Sequence, residues 1–168
     1  MAIVTTASAG MRAAGRATIL QLRSPQSTAR SIEDEALNLV PSSPVPVVVS
    51  SRCDIALAAG AAGVNLPEND IPVEAARSLM GGRIVGRSVH SLDAAVRAEG
   101  EGADFVIFGP VWASASHPES PPVGIEALAE VAHALEIPVL AIGGVTEERV
   151  AVCRDAGAAG YAAIGLFE

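Results

Sequence analysis

Lysine is absent from this sequence, and all eleven of its basic residues are arginine. This absence excludes a lysine Schiff base, a lysine general base and the lysine of a nucleotide-binding P-loop. Positive charge in a functional site must therefore come from arginine, from a protonated histidine or from backbone N–H groups.

Aromatic residues are also scarce. They make up 3% of the 168 residues, whereas 50% of the chain is hydrophobic. We therefore expect a core of alanine and branched aliphatic side chains, in one domain that spans residues 1–168. The net charge of −8 argues against nucleic acid and anionic membrane surfaces as partners.

Cysteine is limited to Cys53 and Cys153, which lie in helical patterns without CxxC spacing. This arrangement favours two buried free thiols over a disulfide or a metal site. The sequence has no apolar run of membrane-spanning length, and its N-terminus lacks a basic region followed by a long apolar one. These absences predict a cytoplasmic protein without a membrane partner.

The segment 137–146, which reads IPVLAIGGVT, is the most informative one present. Its apolar run is typical of a strand that is buried on both faces. Gly143 and Gly144 end the run and let backbone N–H groups approach a ligand, and Thr146 is a good N-cap for a following helix. An anion would be favoured at that helix start, although a simple tight turn accounts for the same pattern.

A second short strand ends in glycine at Gly165, within the segment 157–165 that reads GAAGYAAIG. (β/α)8 barrels commonly build a phosphate site at two adjacent strand ends where the backbone is bare. The two segments together therefore predict a phosphate site made by Gly143, Gly144 and Gly165.

A repeated unit organises the chain, because a glycine ends a helix and a strand follows at once in segments 57–66, 98–108 and 155–161. The predicted strands number eight: Ala2–Thr5, Ala17–Leu22, Val45–Val49, Gly63–Leu66, Arg83–Val89, Asp104–Phe108, Val139–Ile142 and Tyr161–Ile164. Their alternation with helices predicts an α/β fold, a closed and compact (β/α)8 TIM barrel. An open, doubly wound α/β sheet is the alternative.

The predicted barrel is small, since a typical one has about 250 residues. The segment from Ala7 to Arg16 leaves room only for a shortened first helix. In this sequence only Gly165 to Glu168 follow the predicted eighth strand, so we expect the eighth helix to be missing. Apolar barrel wall would then be uncovered, and we expect a homo-oligomer or a fusion partner to cover it.

Three motifs at predicted strand ends carry a family resemblance: GRSVHS at 86–91, ADFVIFGPV at 103–111 and AIGGV at 141–145. QLR at 21–23 and RCDIAL at 52–57 match more loosely. From about Gln21 onward, the chain resembles the thiamine phosphate synthase/TenI superfamily. The resemblance implies a (β/α)8 barrel, a role in thiamine biosynthesis and a small phosphorylated thiazole as ligand.

Synthases of this superfamily join a pyrimidine diphosphate to thiazole phosphate and use magnesium and cationic side chains to do so. Ser24 and Pro25 stand where their motif supplies a lysine, and Ser50 and Ser51 replace an Asn-Asp pair whose aspartate binds magnesium. Asp70 matches their second magnesium aspartate. We therefore expect neither synthase activity nor a cofactor; magnesium would be needed only in a synthase, with Asp70 as the one retained ligand.

The TenI-like branch matches better and implies an isomerase, a thiazole phosphate tautomerase that moves a proton to aromatise a thiazole carboxylate phosphate. Arg87, in the GRSVHS motif, stands where synthases usually have an apolar residue. The reaction needs a cation for the substrate carboxylate, and Arg23, Arg52 or Arg87 can supply it. Further predicted substrate-binding residues lie at strand ends and on a loop: Asn65, Ser88, Ser114 and Ser116.

The resemblance to the tautomerases does not extend to the residue that transfers the proton. Characterised tautomerases have a catalytic histidine after Phe-Gly at the end of the sixth strand, where this chain has Pro110. We expect His117, on the loop where synthases place a lysine, to be the substitute catalytic base, with His90 as the alternative. His133 is expected on a helix surface. A barrel that binds phosphate without catalysis remains the alternative to an enzyme.

Overall fold

The computed structural model describes residues 1–113 and 121–167, along which strands and helices alternate. The strands are β1 (Ala2–Val4), β2 (Leu20–Leu22), β3 (Val47–Ser50), β4 (Gly63–Leu66), β5 (Ile84–Val89), β6 (Phe105–Phe108), β7 (Val139–Ile142) and β8 (Gly160–Ala162). The helices are α1 (Ala7–Ala13), α2 (Ala29–Leu39), α3 (Cys53–Ala58), α4 (Val73–Met80), α5 (Leu92–Gly100), α6 (Gly124–Ala134) and α7 (Glu147–Asp155).

The eight strands form one parallel sheet in which each strand pairs with the next in sequence. The sheet closes on itself, because Ala2 bridges to Ala163, directly after β8. The Ile3 N–H donates to the Ala163 carbonyl at 2.9 Å across this seam. A doubly wound sheet would keep open edges and reverse its strand order. The (β/α)8 prediction is therefore confirmed, and the open-sheet alternative is wrong.

Strand bounds follow the sequence pattern closely. β4 and β7 have the predicted limits, whereas β2 begins at Leu20 rather than Ala17. Three glycines after helices take the predicted left-handed conformation, with φ of 67° at Gly60, 93° at Gly102 and 92° at Gly157. Glycine adopts this conformation without a steric penalty, so the chain can turn directly into the next strand.

Inward and outward side chains of the strands form separate clusters. The barrel interior is filled by a small apolar cluster: Met1, Ile3, Val48, Phe105, Ile107 and Ala162. A larger cluster of leucine, valine and alanine packs the outer wall against the helices. Gly86 of β5 faces the interior, where a Cβ would lie 2.1 Å from Cζ of Phe105. Phe105, the one aromatic residue of this cluster among the described residues, therefore depends on a neighbouring glycine.

The first helix is short, as expected, and spans seven residues. Its N-terminus is capped by Thr6, whose Oγ1 accepts the Ala9 N–H at 3.2 Å. Gly10 allows α2 to approach, because a Cβ there would lie 2.6 Å from Cδ1 of Leu39. A seven-residue helix can thus cover its part of the wall.

The described chain after β8 forms a three-residue 3-10 helix, Gly165–Phe167, where the other strands are followed by α-helices. Phe167 is buried and stacks on Tyr161, with 5.9 Å between ring centroids. This aromatic pair covers part of the wall beside β8. Association with a second chain stays a prediction.

The side-chain expectations for the helices also hold. Cys53 and Cys153 are buried free thiols, and burial raises the pKa of both. His133 is exposed on α6, with Nδ1 2.6 Å from the Ala129 carbonyl oxygen. None of the helices in residues 1–113 and 121–167 has the length and apolar character needed to cross a membrane.

Candidate functional site

A cavity of about 480 Å³ opens at the carboxyl ends of the strands, where (β/α)8 enzymes bind their ligands. Each of the eight strands, or the connection after it, contributes to the wall. The polar side chains in that wall come from β2 to β5 and their connections: Gln21, Arg23, Ser50, Asn65, Glu68, Ser88 and His90.

The polar half of the wall contains two buried amides. Gln21 and Asn65 are each 2% exposed, and Asn65 Nδ2 donates to Ser88 Oγ at 3.0 Å. Among the described residues, Gln21 Oε1 and Asn65 Oδ1 have no hydrogen-bond partner. Buried acceptors without a partner are costly, so a ligand that offers N–H or O–H groups would be favoured here.

The opposite half of the wall is apolar. Ile3, Ile107, Ile142 and Ala162 line it from β1, β6, β7 and β8. Ligand sites commonly combine an apolar surface with a few polar groups that fix orientation. This cavity can therefore hold a flat ring with its heteroatoms turned toward β2–β5.

The Gly143–Gly144 turn follows β7 and lines the cavity, with φ of 91° and 64°. A Cβ at Gly143 would lie 2.4 Å from Cβ of Pro110, and one at Gly144 would lie 2.7 Å from Cβ of Trp112. Both positions thus exclude a side chain by conformation and by contact. The turn is packed directly against the connection that follows β6.

At this end of the cavity the backbone amides of Gly144, Val145 and Gly165 have no backbone acceptor within the described chain. Thr146 takes the N-cap position of α7 with extended backbone, but its side chain makes no capping hydrogen bond. Unpaired amides at a helix start attract anions. The structure brings Gly143, Gly144 and Gly165 together around one space, and phosphate binding there stays a prediction.

Arg23 follows β2 and lines the cavity. Its backbone N–H donates to the Val4 carbonyl at 2.8 Å, which fixes the start of the side chain. Within residues 1–113 and 121–167, its guanidinium makes no hydrogen bond or ion pair. It is also the one arginine among the described lining residues.

Arg52 does not line the cavity, so the prediction that it contacts the substrate is not supported. Its guanidinium binds Asp54 in the first turn of α3, with Nε 2.9 Å from Oδ1. The hydrogen bond to Asp54 raises the pKa of Arg52 and lowers that of Asp54. The Asp54 carboxylate therefore occupies the guanidinium N–H groups that would otherwise bind a substrate carboxylate.

The prediction that Arg87 contacts the substrate is also not supported. Strand alternation directs its side chain away from the cavity. Gly86 and Ser88 point into the barrel, so Arg87 between them points toward the helices. It is 6% exposed, and it donates to the carbonyl oxygens of Pro67 and Ile71, each at 2.5 Å. Burial lowers its pKa. Arg87 holds the connection between β4 and α4 rather than a ligand.

His90 lies at the rim of the cavity, where its Nδ1 pairs with the carboxylate of Glu68. Pro110 lines the cavity after a cis Gly109–Pro110 peptide bond, at the position where tautomerases have histidine. The other predicted catalytic histidine and the two predicted loop serines lie outside the described residues: His117, Ser114 and Ser116.

Asp70 is the residue that the sequence suggests for magnesium. One of its oxygens accepts from the Ser51 hydroxyl, and Oδ1 accepts the Ile71 N–H at 2.7 Å. The described residues contain no cluster of three or more His, Cys, Asp or Glu that could hold a metal. Magnesium is often bound by one or two carboxylates together with substrate phosphates. Asp70 therefore fits magnesium only as a partner of a bound phosphate.

Among the polar lining residues, Gln21, Ser50 and Glu68 were not predicted site residues. Gln21 is a polar residue within an apolar strand, and this interruption of the pattern was a usable signal. Glu68 lies on a connection among other polar residues, where the sequence gives no such signal. Its role depends on the position of His90, which only the structure shows.

These features define a (β/α)8 barrel with a mouth suited to an anionic ring compound. The family model described as thiamine monophosphate synthase matches residues 3–167, and the chain belongs to this family of thiamine biosynthesis.

Individual relatives agree. A thiamine-phosphate synthase of Methanoculleus marisnigri is 41% identical over 161 residues, which cover 93% of this chain and 76% of that protein. A relative from Aquifex aeolicus is 45% identical over 121 residues, 72% of this chain and 65% of that protein. A solved thiamine phosphate pyrophosphorylase from Pyrococcus furiosus superposes with a TM-score of 0.87 at 29% identity, covering 98% of this chain and 84% of that one.

The prediction of an isomerase without synthase activity is wrong by this comparison, because the relatives are named as synthases, which are transferases. That prediction was based on the missing lysines and on the Ser50-Ser51 replacement. Arg23 and backbone N–H groups, whose dipoles present partial positive charge, line the cavity and can also stabilise an anion.

Proposed function

We propose that this protein is a thiamine-phosphate synthase, which joins a thiazole phosphate to a pyrimidine that carries a diphosphate. Relatives with that name at 36% and 41% identity support the proposal. The observation that carries it is one cavity in which unpaired amides, Arg23 and buried side-chain amides face the same space.

The amides of Gly144, Val145 and Gly165 bind the phosphate of the thiazole in this proposal. They lie at the ends of β7 and β8 beside the start of α7, so several N–H dipoles point at one anion. A chain without lysine depends on such backbone donors more than a chain with one does.

The pyrimidine is placed on the opposite side, against Gln21 and Asn65. Their unpartnered oxygens would accept N–H groups from the edge of the ring, and Ser88 keeps the Asn65 amide in one orientation. The two rings would then meet over the apolar floor made by Ile107 and its neighbours. Holding two reactants in such contact accounts for a large part of catalysis in general.

The reaction forms a bond between the thiazole nitrogen and the pyrimidine methylene carbon, and it breaks the bond from that carbon to diphosphate. The electron pair leaves with diphosphate, so positive charge near the leaving group stabilises the transition state. Arg23 supplies that charge. Magnesium carried by the diphosphate and held by Asp70 would neutralise part of the same charge.

A second candidate, a barrel that binds phosphate without catalysis, is favoured by one observation. Ser51 stands at the position of a magnesium aspartate and donates its hydroxyl to Asp70. A site with one carboxylate gives less help to a departing diphosphate than a site with two.

The deciding experiment incubates the purified protein with thiazole phosphate, the pyrimidine diphosphate and magnesium, and measures thiamine phosphate by chromatography. Formation of product in proportion to enzyme supports the synthase. Phosphate binding without product would favour the non-catalytic barrel. Omitting magnesium should lower the rate strongly if Asp70 acts as described.

A further inference from the structure

Arg149, in the first turn of α7, makes two contacts that no part of the proposed reaction uses. Its Nη1 donates to the Gly144 carbonyl oxygen at 2.7 Å. Its Cζ lies 4.8 Å from the centroid of the Trp112 ring. Arg149 does not line the cavity, whereas Gly144 does. The guanidinium thus holds the glycine turn from outside the cavity.

The hydrogen bond from Arg149 also fixes the orientation of the peptide group between Gly144 and Val145. In a trans peptide the C=O and the N–H lie in one plane and point to opposite sides. The carbonyl of Gly144 shares its peptide with the N–H of Val145. Since Arg149 draws the carbonyl outward, the Val145 N–H is directed away from Arg149, toward the cavity that Val145 lines.

Trp112 supplies the second half of the arrangement. Its backbone N–H donates to the Gly143 carbonyl at 3.1 Å, and its Cβ would lie only 2.7 Å from a Cβ at Gly144. The ring then covers the guanidinium, and cation–π contacts favour arginine stacked on tryptophan. The turn is fixed from two elements at once.

We infer that Arg149 is a positioning residue, which orients the anion-binding amide of Val145 by holding the Gly144 carbonyl and is itself held by Trp112. The inference rests on the phosphate site of the proposed function and deepens it. Arg149 touches no substrate and acts only through the peptide.

The test measures binding of inorganic phosphate by calorimetry, so it does not depend on synthase activity. Arg149→Met removes the hydrogen bond and the stacking and should weaken binding about tenfold or more. Arg149→Lys keeps the charge but not the planar fork, and it should still bind at least about fivefold more weakly than wild type. Arg154→Met removes the same charge from the last turn of α7 and should stay within about twofold.

Trp112 is the one tryptophan of the chain, so its fluorescence reports on this contact directly. Saturating phosphate should change its emission in wild type and in Arg154→Met, and change it much less in Arg149→Met. Such a signature would not follow from a loss of stability alone.

Two outcomes would overturn the inference in different ways. Wild-type affinity in Arg149→Met or in Arg149→Lys would remove the positioning role and leave the phosphate site intact. If wild type binds no phosphate, the anion site itself fails, and the inference fails with it. Circular dichroism of each variant identifies any that does not fold, and Arg149→Lys, which keeps the charge and aliphatic stem, then decides the question.

Discussion

Asn65 on β4 donates a hydrogen bond from Nδ2 to Ser88 Oγ on β5, at 3.0 Å. The two side chains lie on neighbouring strands, and Ser88 is two residues beyond Gly86, the register partner of Asn65. The contact uses the donor of the amide and leaves Oδ1 without a partner in the described chain. One pair of residues thus both orients an acceptor and leaves it for a ligand.

The first prediction is that Ser88→Ala raises the KM for the pyrimidine diphosphate about tenfold, because the Asn65 amide is no longer held in one orientation. Steady-state kinetics with each substrate varied in turn measures this effect. Ser78→Ala, on the outer surface of α4, is the matched control and should behave as wild type. An unchanged KM for the pyrimidine in Ser88→Ala would show that binding does not depend on the orientation that Ser88 gives Asn65.

The second prediction concerns the glycine turn. Gly144→Val places a side chain where φ is 64° and where Trp112 and the Ala113 carbonyl are 2.7 Å away. The turn must then move, and affinity for inorganic phosphate should fall by about a hundredfold. Gly15→Val, at a position with no atom within 4 Å, is the control. Equal phosphate affinity in both variants would refute the placement of the anion.

The third prediction concerns charge. Arg23→Met removes the arginine of the described lining and should lower kcat/KM about a hundredfold or more, because hydrogen bonds to charged groups are strong. Arg30→Met is the comparison, since Arg30 is exposed on α2 in pairs with Glu33 and Asp34. The effect should shrink at high salt. Equal activity in the two variants would exclude Arg23 from the site.

The fourth prediction concerns Arg87. Arg87→Met leaves the Pro67 and Ile71 carbonyls without their donor, so the free energy of unfolding should fall by about 3 kcal/mol. Urea denaturation measures it, and Arg97→Met is the control because Arg97 is an exposed residue of α5. Full stability combined with lost substrate binding would instead restore the original assignment of Arg87 to the substrate.

The fifth prediction concerns the thiols of Cys53 and Cys153. Burial raises their pKa because the charged thiolate is disfavoured, so the folded protein holds these protons more tightly than the unfolded chain does. Stability should therefore fall as the pH rises through the range in which thiols ionise. At pH 8 a thiol reagent should react slowly with native protein and rapidly with two thiols in denaturant. Fast native labelling would show that the helices expose them.

The fold was predictable because local signals agreed with one another. Apolar runs marked the strands, and left-handed glycines such as Gly60 and Gly157 marked the exits from helices. Closure followed from the count of eight strands, and the bridge between Ala2 and Ala163 confirms it. The pairing of Phe105 with Gly86 was not predictable, because it depends on the register between β5 and β6.

The site was predictable only in part. The glycines at two strand ends and Arg23 could be placed at the mouth from strand order alone. Arg87 was misplaced because it was assigned by motif rather than by strand alternation. Its neighbours Gly86 and Ser88 point into the barrel, so the Arg87 side chain points outward. The partnership of Glu68 with His90 joins two connections whose approach no local pattern encodes.

The most direct measurement of the central claim is thiamine phosphate formation by the purified protein with magnesium, beside Arg23→Met and Gly144→Val prepared in the same way. A contaminating synthase would give equal activity in all three preparations. The account predicts product that scales with the wild-type protein, with both variants reduced at least about a hundredfold. No product from wild type that nevertheless binds phosphate, or equal product from all three, would contradict it.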